Sequence, residues 1–177
     1  EVRARPEDGG LEVLRDGEWV SHEGDVSSLE RPVAYTPRRL SEASLGRLER
    51  EARACDAVAL AAAWEGKHEP LEWEPCRDAS LVWREDGSCG SRTGKLRGCD
   101  LSHLRLEGCL LRDADLSFAT LEGATLDGAR MHRINLQCSF CQGASFVGAR
   151  MAEANLSGAV CRGADFTDAR LHQALLK

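Results

Sequence analysis

From Leu101 onward, every fifth residue of the chain is apolar: Leu101, Leu106, Leu111, Leu116, Leu121, Leu126, Met131, Leu136, Cys141, Phe146, Met151, Leu156, Cys161, Phe166, Leu171 and Leu176. Two residues ahead of each runs a second row, Ala at 11 of its 16 positions, with Cys99, Leu104, Cys109, Ile134 and Ser139 as the exceptions. Glycine recurs two residues behind the large row, at Gly108, Gly123, Gly128, Gly143, Gly148, Gly158 and Gly163. A period of five matches neither the ~3.6 of a helix nor the ~2.0 of a strand. It requires a chain that turns a corner every fifth residue with two rows facing inward, and four corners close a coil of about 20 residues. Small Ala lets the walls approach, Leu and Phe fill the axis, and glycine supplies backbone freedom near the corner.

A coil of that length stacks side chains 20 positions apart, so like should sit on like. Phe146 and Phe166, Met131 and Met151, and Cys141 and Cys161 are all so spaced. The stretches Ala114-Asp115-Leu116-Ser117, Ala154-Asn155-Leu156-Ser157-Gly158 and Ala164-Asp165-Phe166-Thr167 resemble the pentapeptide-repeat family, whose pattern is Ala, Asp or Asn, Leu or Phe, a polar residue, then Gly. The resemblance covers residues 97–177. It implies a mainly β fold, a right-handed quadrilateral β-helix of about four coils over residues 96–177, roughly 20 Å tall at the usual strand spacing. The sixteen residues of the large row are its expected core.

Residues 1–95 have a different grammar. All four tryptophans, the single tyrosine and all five prolines precede Cys99. Of the net charge of −6, residues 1–98 hold −5 (20 acidic, 15 basic side chains) and residues 99–177 hold −1 (9 acidic, 8 basic). Residues 11–20 read as a hairpin turning at Asp16-Gly17, and residues 80–91 as a second one turning near Asp86-Gly87. Between them Ser41 opens a helix that runs to about Trp64, with Leu45, Leu48, Ala52, Cys55, Ala59 and Ala62 on its apolar side. A solenoid exposes an unpaired edge and an apolar core at its ends. A small α+β capping domain over residues 1–95 is therefore expected, with Leu81–Trp83 or the helix packed over Leu101 and Leu106.

The register decides how the eight cysteines read. Cys99 and Cys109 fall in the small inward row, Cys141 and Cys161 in the large one, where free Cys behaves as a buried hydrophobe. Cys138 and Cys141 form a C-x-x-C, but Cys138 points outward and Cys141 to the axis, so they diverge. Stacking brings Cys141 and Cys161 within disulfide range. Reduced thiols and a cytoplasmic protein are nonetheless the expectation.

Outward positions read as columns. One runs Leu110, Arg130, Arg150, Arg170, with Arg133 close by and Asp113 and Glu153 partly neutralising it. It reads either as a strip for phosphate or carboxylate groups or as a solvated face, the second being the default. Another column carries Thr120, Phe140 and Val160; Phe140 and Val160 mark either a contact site or a patch that residues 1–98 cover. Glu65, His68 and Glu69 form a polar cluster after the helix, the remaining histidines are scattered, and no catalytic or metal motif is present.

A filled axis leaves no cavity for small-molecule chemistry. The expectation is a non-catalytic scaffold without cofactor or metal, binding a protein partner through Arg130, Arg150, Arg170, Phe140 and Val160. The resemblance adds three expectations: a homodimer through the C-terminal coil, protection of a type II topoisomerase by DNA mimicry, and an adaptor role in a secretion or toxin system. A nearly neutral coil with an arginine column departs from what mimicry needs. Direct nucleic-acid binding is not expected of so acidic a chain, and no stretch is apolar enough to span a membrane.

Overall fold

In the computed structural model the described residues are 2–4, 11–15, 18–22, 33–54, 57–65, 70–76, 81–83, 89–91 and 94–176. The elements in chain order are β1 (Val2–Ala4), β2 (Leu11–Arg15), β3 (Glu18–His22), β4 (Val33–Thr36), β5 (Arg38–Leu40), α1 (Glu42–Arg53), α2 (Ala57–Trp64), β6 (Trp73–Pro75), β7 (Leu81–Trp83) and β8 (Cys89–Ser91). Six of the strands form a sheet in the order β3-β2-β1-β4-β7-β8, and β5 pairs with β6. Both expected hairpins are present as β2–β3 and β7–β8, although the turn residues Asp16, Gly17, Asp86 and Gly87 lie outside the described residues. The parallel pairing of β1 with β4, in register Val2 to Tyr35, has no local sequence signal.

The expected helix is two helices. Ser41 caps α1 by accepting from the Ser44 amide at 3.3 Å, with Glu42 in the first turn and Arg50 and Arg53 in the last, the arrangement the helix dipole favours. α1 ends at Arg53, residues 55 and 56 lie outside the described set, and α2 resumes at Ala57. α1 buries Leu45 and Leu48; α2 buries Leu60, Ala63 and Trp64.

After β8 the chain becomes a coil that returns to register every 20 residues. Parallel bridges link Lys95 to Asp115, Asp115 to Asn135, Asn135 to Asn155 and Asn155 to Leu175, and three further sets run alongside. A repeat in the middle of the stack donates one amide to the coil before it and two to the coil after it: Thr120 N–H to the Cys99 carbonyl at 3.0 Å, Leu121 N–H to the Phe140 carbonyl at 2.7 Å and Gly123 N–H to the Gln142 carbonyl at 3.0 Å. The corner is closed locally, as where Ala119 N–H reaches the Leu116 carbonyl at 3.1 Å. The residue before the next inward position takes a left-handed conformation at every corner, which explains the recurring glycine. At Gly123 the absence of a side chain matters twice over, because a Cβ there would come within 2.6 Å of His103 Nδ1.

Both inward rows are buried from Leu96 to Leu156. Phe146 lies on Phe166 with ring centroids 4.8 Å apart and planes 6° from parallel, so like does stack on like. The core thins at the far end. Cys161, Phe166 and Leu171 are only partly buried, and Leu176, expected inside, is 67% exposed because nothing lies beyond it among the described residues.

The N-terminal strands run on into the solenoid. Gly90 of β8 bridges Leu110 in parallel, and Arg39 of β5 bridges Cys99. Tyr35, Cys76, Leu81 and Cys89 belong to the same buried cluster as the two inward rows of the coil. Cys89 and Cys109 are joined as a disulfide, with Cα atoms 4.5 Å apart, which corrects the expectation of reduced thiols for this pair. The stacking rule explains it: the two are 20 residues apart, but the five-residue row becomes visible only from Cys99, so Cys89 escapes the count. Cys76 Sγ lies 3.8 Å from Cys99 Sγ, both sulfurs being buried. The hydrogen bond to Cys76, and burial after it, push the Cys99 thiol well above its ordinary range.

Candidate interaction surface

One flank of the coil is already occupied. Phe118, Cys138 and Phe140 lie in a single buried cluster with Leu40, Leu45, Leu48, Leu60 and Trp64, and Val160 packs against it. The Trp64 ring stacks on Phe140 at 5.5 Å, and its indole N–H donates to the Cys138 carbonyl at 3.3 Å. Arg97 fastens the same flank at Phe118. It pairs with Glu49 of α1, donates to Ser117 Oγ at 2.9 Å and lies over the Phe118 ring at 4.9 Å. Phe140 is therefore only 6% exposed, and the reading of Phe140 and Val160 as a free contact site is corrected: α1 and α2 cover them. Cys138 does point away from the axis, yet the same helices bury it. Phe118 is the residue that sequence reasoning missed. Its signal was a large apolar side chain, at φ 55°, where the repeat calls for glycine.

A cavity of about 560 Å³ lies where the helices meet the coil, lined by Trp64, Trp73, Phe140, His103, Glu122 and the Arg38–Asp100 pair among others. Its polar floor is largely spent. Arg38 bonds Asp100 at 2.7 Å and lies over the Trp73 ring, Asp100 accepts from the Ser102 amide, and Ser102 Oγ meets Thr120 Oγ1 at 3.0 Å. Of the polar cluster Glu65, His68 and Glu69, only Glu65 lies within the described residues. Among those residues no group of three or more His, Cys, Asp or Glu gathers as a metal site, and no helix is long and apolar enough to cross a membrane.

Ten residues further round the coil the opposite situation holds. Leu110, Arg130, Arg150 and Arg170 bridge one another in parallel register, and all four are exposed. Their amides are fixed to the coil below, Arg130 to the Cys109 carbonyl, Arg150 to Ala129 and Arg170 to Ala149, each at 2.8 Å. The neighbouring acids are engaged elsewhere. Asp113 takes a two-pronged bond from Arg133 at 2.6 and 2.9 Å, and Glu153 lies 3.5 Å from His132 Nε2. The Arg133 guanidinium holds the Asp113 carboxyl below its ordinary value, and Asp113 raises Arg133 in turn. Among the described residues no ion pair is formed by Arg130, Arg150 or Arg170.

At the open end, Cys141 Sγ and Cys161 Sγ form a stacked thiol pair. A hydrogen bond from Cys141 lowers the Cys161 thiol, whereas Cys141 itself is raised by that bond and by burial.

Three solved structures are similar to part of the chain, each a pentapeptide repeat protein. Rfr23 from the cyanobacterium Cyanothece 51142 is 33% identical over 44% of this chain and 50% of its own, with a TM-score of 0.22. A protein of the Arabidopsis thaliana thylakoid lumen is 26% identical over 46% and 61%, TM-score 0.26. HetL from Nostoc, involved in heterocyst differentiation regulation, is 36% identical over 47% and 43%, TM-score 0.25. The chain thus matches between about two fifths and three fifths of the length of these proteins. No curated protein matches it. The family model for pentapeptide repeats matches eight copies over residues 95–133, 114–151 and 144–177. Its span coincides with the 20-residue register and with the two inward rows: residues 95–177 are pentapeptide repeats.

Proposed function

We propose that residues 96–177 wind as a right-handed quadrilateral β-helix of about four coils, capped and flanked by residues 1–95, and that the chain is a non-catalytic scaffold for a protein partner. One observation carries the reading: beside a filled axis and a flank occupied by the chain's own helices, Arg130, Arg150 and Arg170 are exposed and form no ion pair among the described residues. A surface of that kind can dock a partner but offers a small molecule no enclosure. The docked helices are a precedent within the chain, because they use outward positions of the same coil as a flat binding face.

The test is quantitative affinity purification from the native source with the full chain and with the Arg130→Glu/Arg150→Glu/Arg170→Glu variant. A stoichiometric protein captured by the first and lost by the second is expected; a partner held equally by both, or none, sinks the reading. A second copy on the last coil is the companion proposal. It is supported by a hollow of about 370 Å³ lined by Leu156, Ala159, Cys161, Phe166, Leu171 and Leu176, and a concentration-independent monomer mass by light scattering would refute it. DNA mimicry loses ground here, since the bare flank is cationic; gyrase supercoiling unaltered by a molar excess of the chain is the expected result.

A further inference from the structure

We infer that the bare flank is a linear site for an extended acidic protein segment, anchored by one apolar side chain at Leu110; this rests on the scaffold reading above. Where the coil stacks like residues, it closes the column internally. Asn135 Nδ2 donates to Asp115 Oδ1 at 3.0 Å and Asn155 Nδ2 to Asn135 Oδ1 at 3.4 Å. The arginine column has no such closure. Its three bridged positions put like-charged side chains on adjacent strands whose backbones lie about 4.8 Å apart, and like charges directly opposite one another are destabilising. Of the nearest described acids, Asp113 is paired with Arg133 and Glu153 lies beside His132.

The column's length and order define the occupant. Three guanidiniums over two strand spacings span about 10 Å, the length of three to four residues of extended chain. Guanidinium recognises carboxylate through paired N–H donors, and the flexible stems of the arginines and of acidic side chains span the difference between the ~4.8 Å strand spacing and the ~3.3 Å rise per residue. Leu110, 38% exposed, heads the column and is fixed against β8, where Gly90 bridges it. The segment that fits is therefore one apolar residue followed by three or four acidic ones. A nucleic acid is disfavoured, because the chain's net charge of −6 repels a long polyanion, whereas a short segment lies within a Debye length of the strip, about 8–10 Å.

The experiment is fluorescence anisotropy of the full chain with labelled acetyl-Leu-Glu-Asp-Glu-Asp-amide, the same composition with Leu central, and an oligothymidylate of eight nucleotides. Saturable binding of the first peptide is expected, at least tenfold weaker for the Arg130→Glu/Arg150→Glu/Arg170→Glu variant and intermediate for the corresponding triple lysine variant, which keeps charge but loses the fork. Moving the leucine should weaken binding several-fold, as should Leu110→Asn. If the glutamate variant fails to fold by circular dichroism, the lysine variant decides: affinity equal to wild type overturns the guanidinium assignment. Absence of peptide binding at about 0.1 M salt overturns the inference, and so does an oligonucleotide that binds more tightly than the peptide. Peptide binding without a partner from the native source would instead count against the scaffold reading alone, and a captured partner without peptide binding against this inference alone.

Discussion

Phe146 shows how far single side chains were legible. Its stacking on Phe166 follows from a separation of 20 alone, and the two rings differ in only one respect: Phe146 is fully buried and Phe166 partly so. Truncating a buried Phe to Ala costs about 3–5 kcal/mol through lost transfer energy and the cavity left behind. Phe146→Ala should lower the urea midpoint accordingly, and Phe166→Ala by clearly less, because its site borders solvent; equal losses would contradict the burial gradient. Charge was legible less directly. Asp113 and Arg133 are 20 apart, so the register makes them neighbours, yet only geometry shows the bond to be two-pronged. Asp113 has its folded pKa below the ordinary 3.8. Its contribution is therefore present above that value and lost as the pH falls through the lower folded one. Thermal melts of Asp113→Asn should lie below wild type at neutral pH and converge with it in strong acid. The effect is small, since both side chains face water.

At the scale of elements, the Ser41 cap and the Leu45 and Leu48 stripe announced α1, but the place where α1 and α2 dock could not be read from the helices themselves. It is written in the coil, in the cluster Phe118, Cys138 and Phe140, all apolar at outward positions. Helical periodicity says which face seeks cover, not which of four flanks supplies it. Trp64 is the hinge of that docking, stacked on Phe140 and bonded to the Cys138 carbonyl. Trp64→Ala should release the helix pair before the coil. Hydrogen exchange should then show α1 and α2 amides losing protection by orders of magnitude while Leu121 and Leu126, buried at the axis, keep theirs. Simultaneous loss of protection in both would mean that the two parts unfold as one unit.

Taken as a whole molecule, the solenoid was the legible part because each repeat restates the same rule, whereas the six-stranded sheet was not. Its strands are three to five residues long, and the β1–β4 pairing is set by long-range closure that no local pattern records. The junction between the two joins them physically: β8 extends the first coil through Gly90 and Leu110, and Cys89 and Cys76 face Cys109 and Cys99 across it. Removing residues 1–93 would open two apolar surfaces together. The end of the coil would lose Tyr35, Cys76, Leu81 and Cys89, and the flank would lose the helices over Phe118 and Phe140. Contiguous apolar patches beyond a few hundred Å² drive association, and the uncovered end also presents unpaired backbone edges. The 94–177 fragment should therefore sediment as aggregates. Adding Phe118→Ser and Phe140→Ser removes the flank patch alone, so that fragment should still associate through its bare end, as a discrete and smaller species. A soluble monomer from the unsubstituted fragment would show that the solenoid needs neither cover.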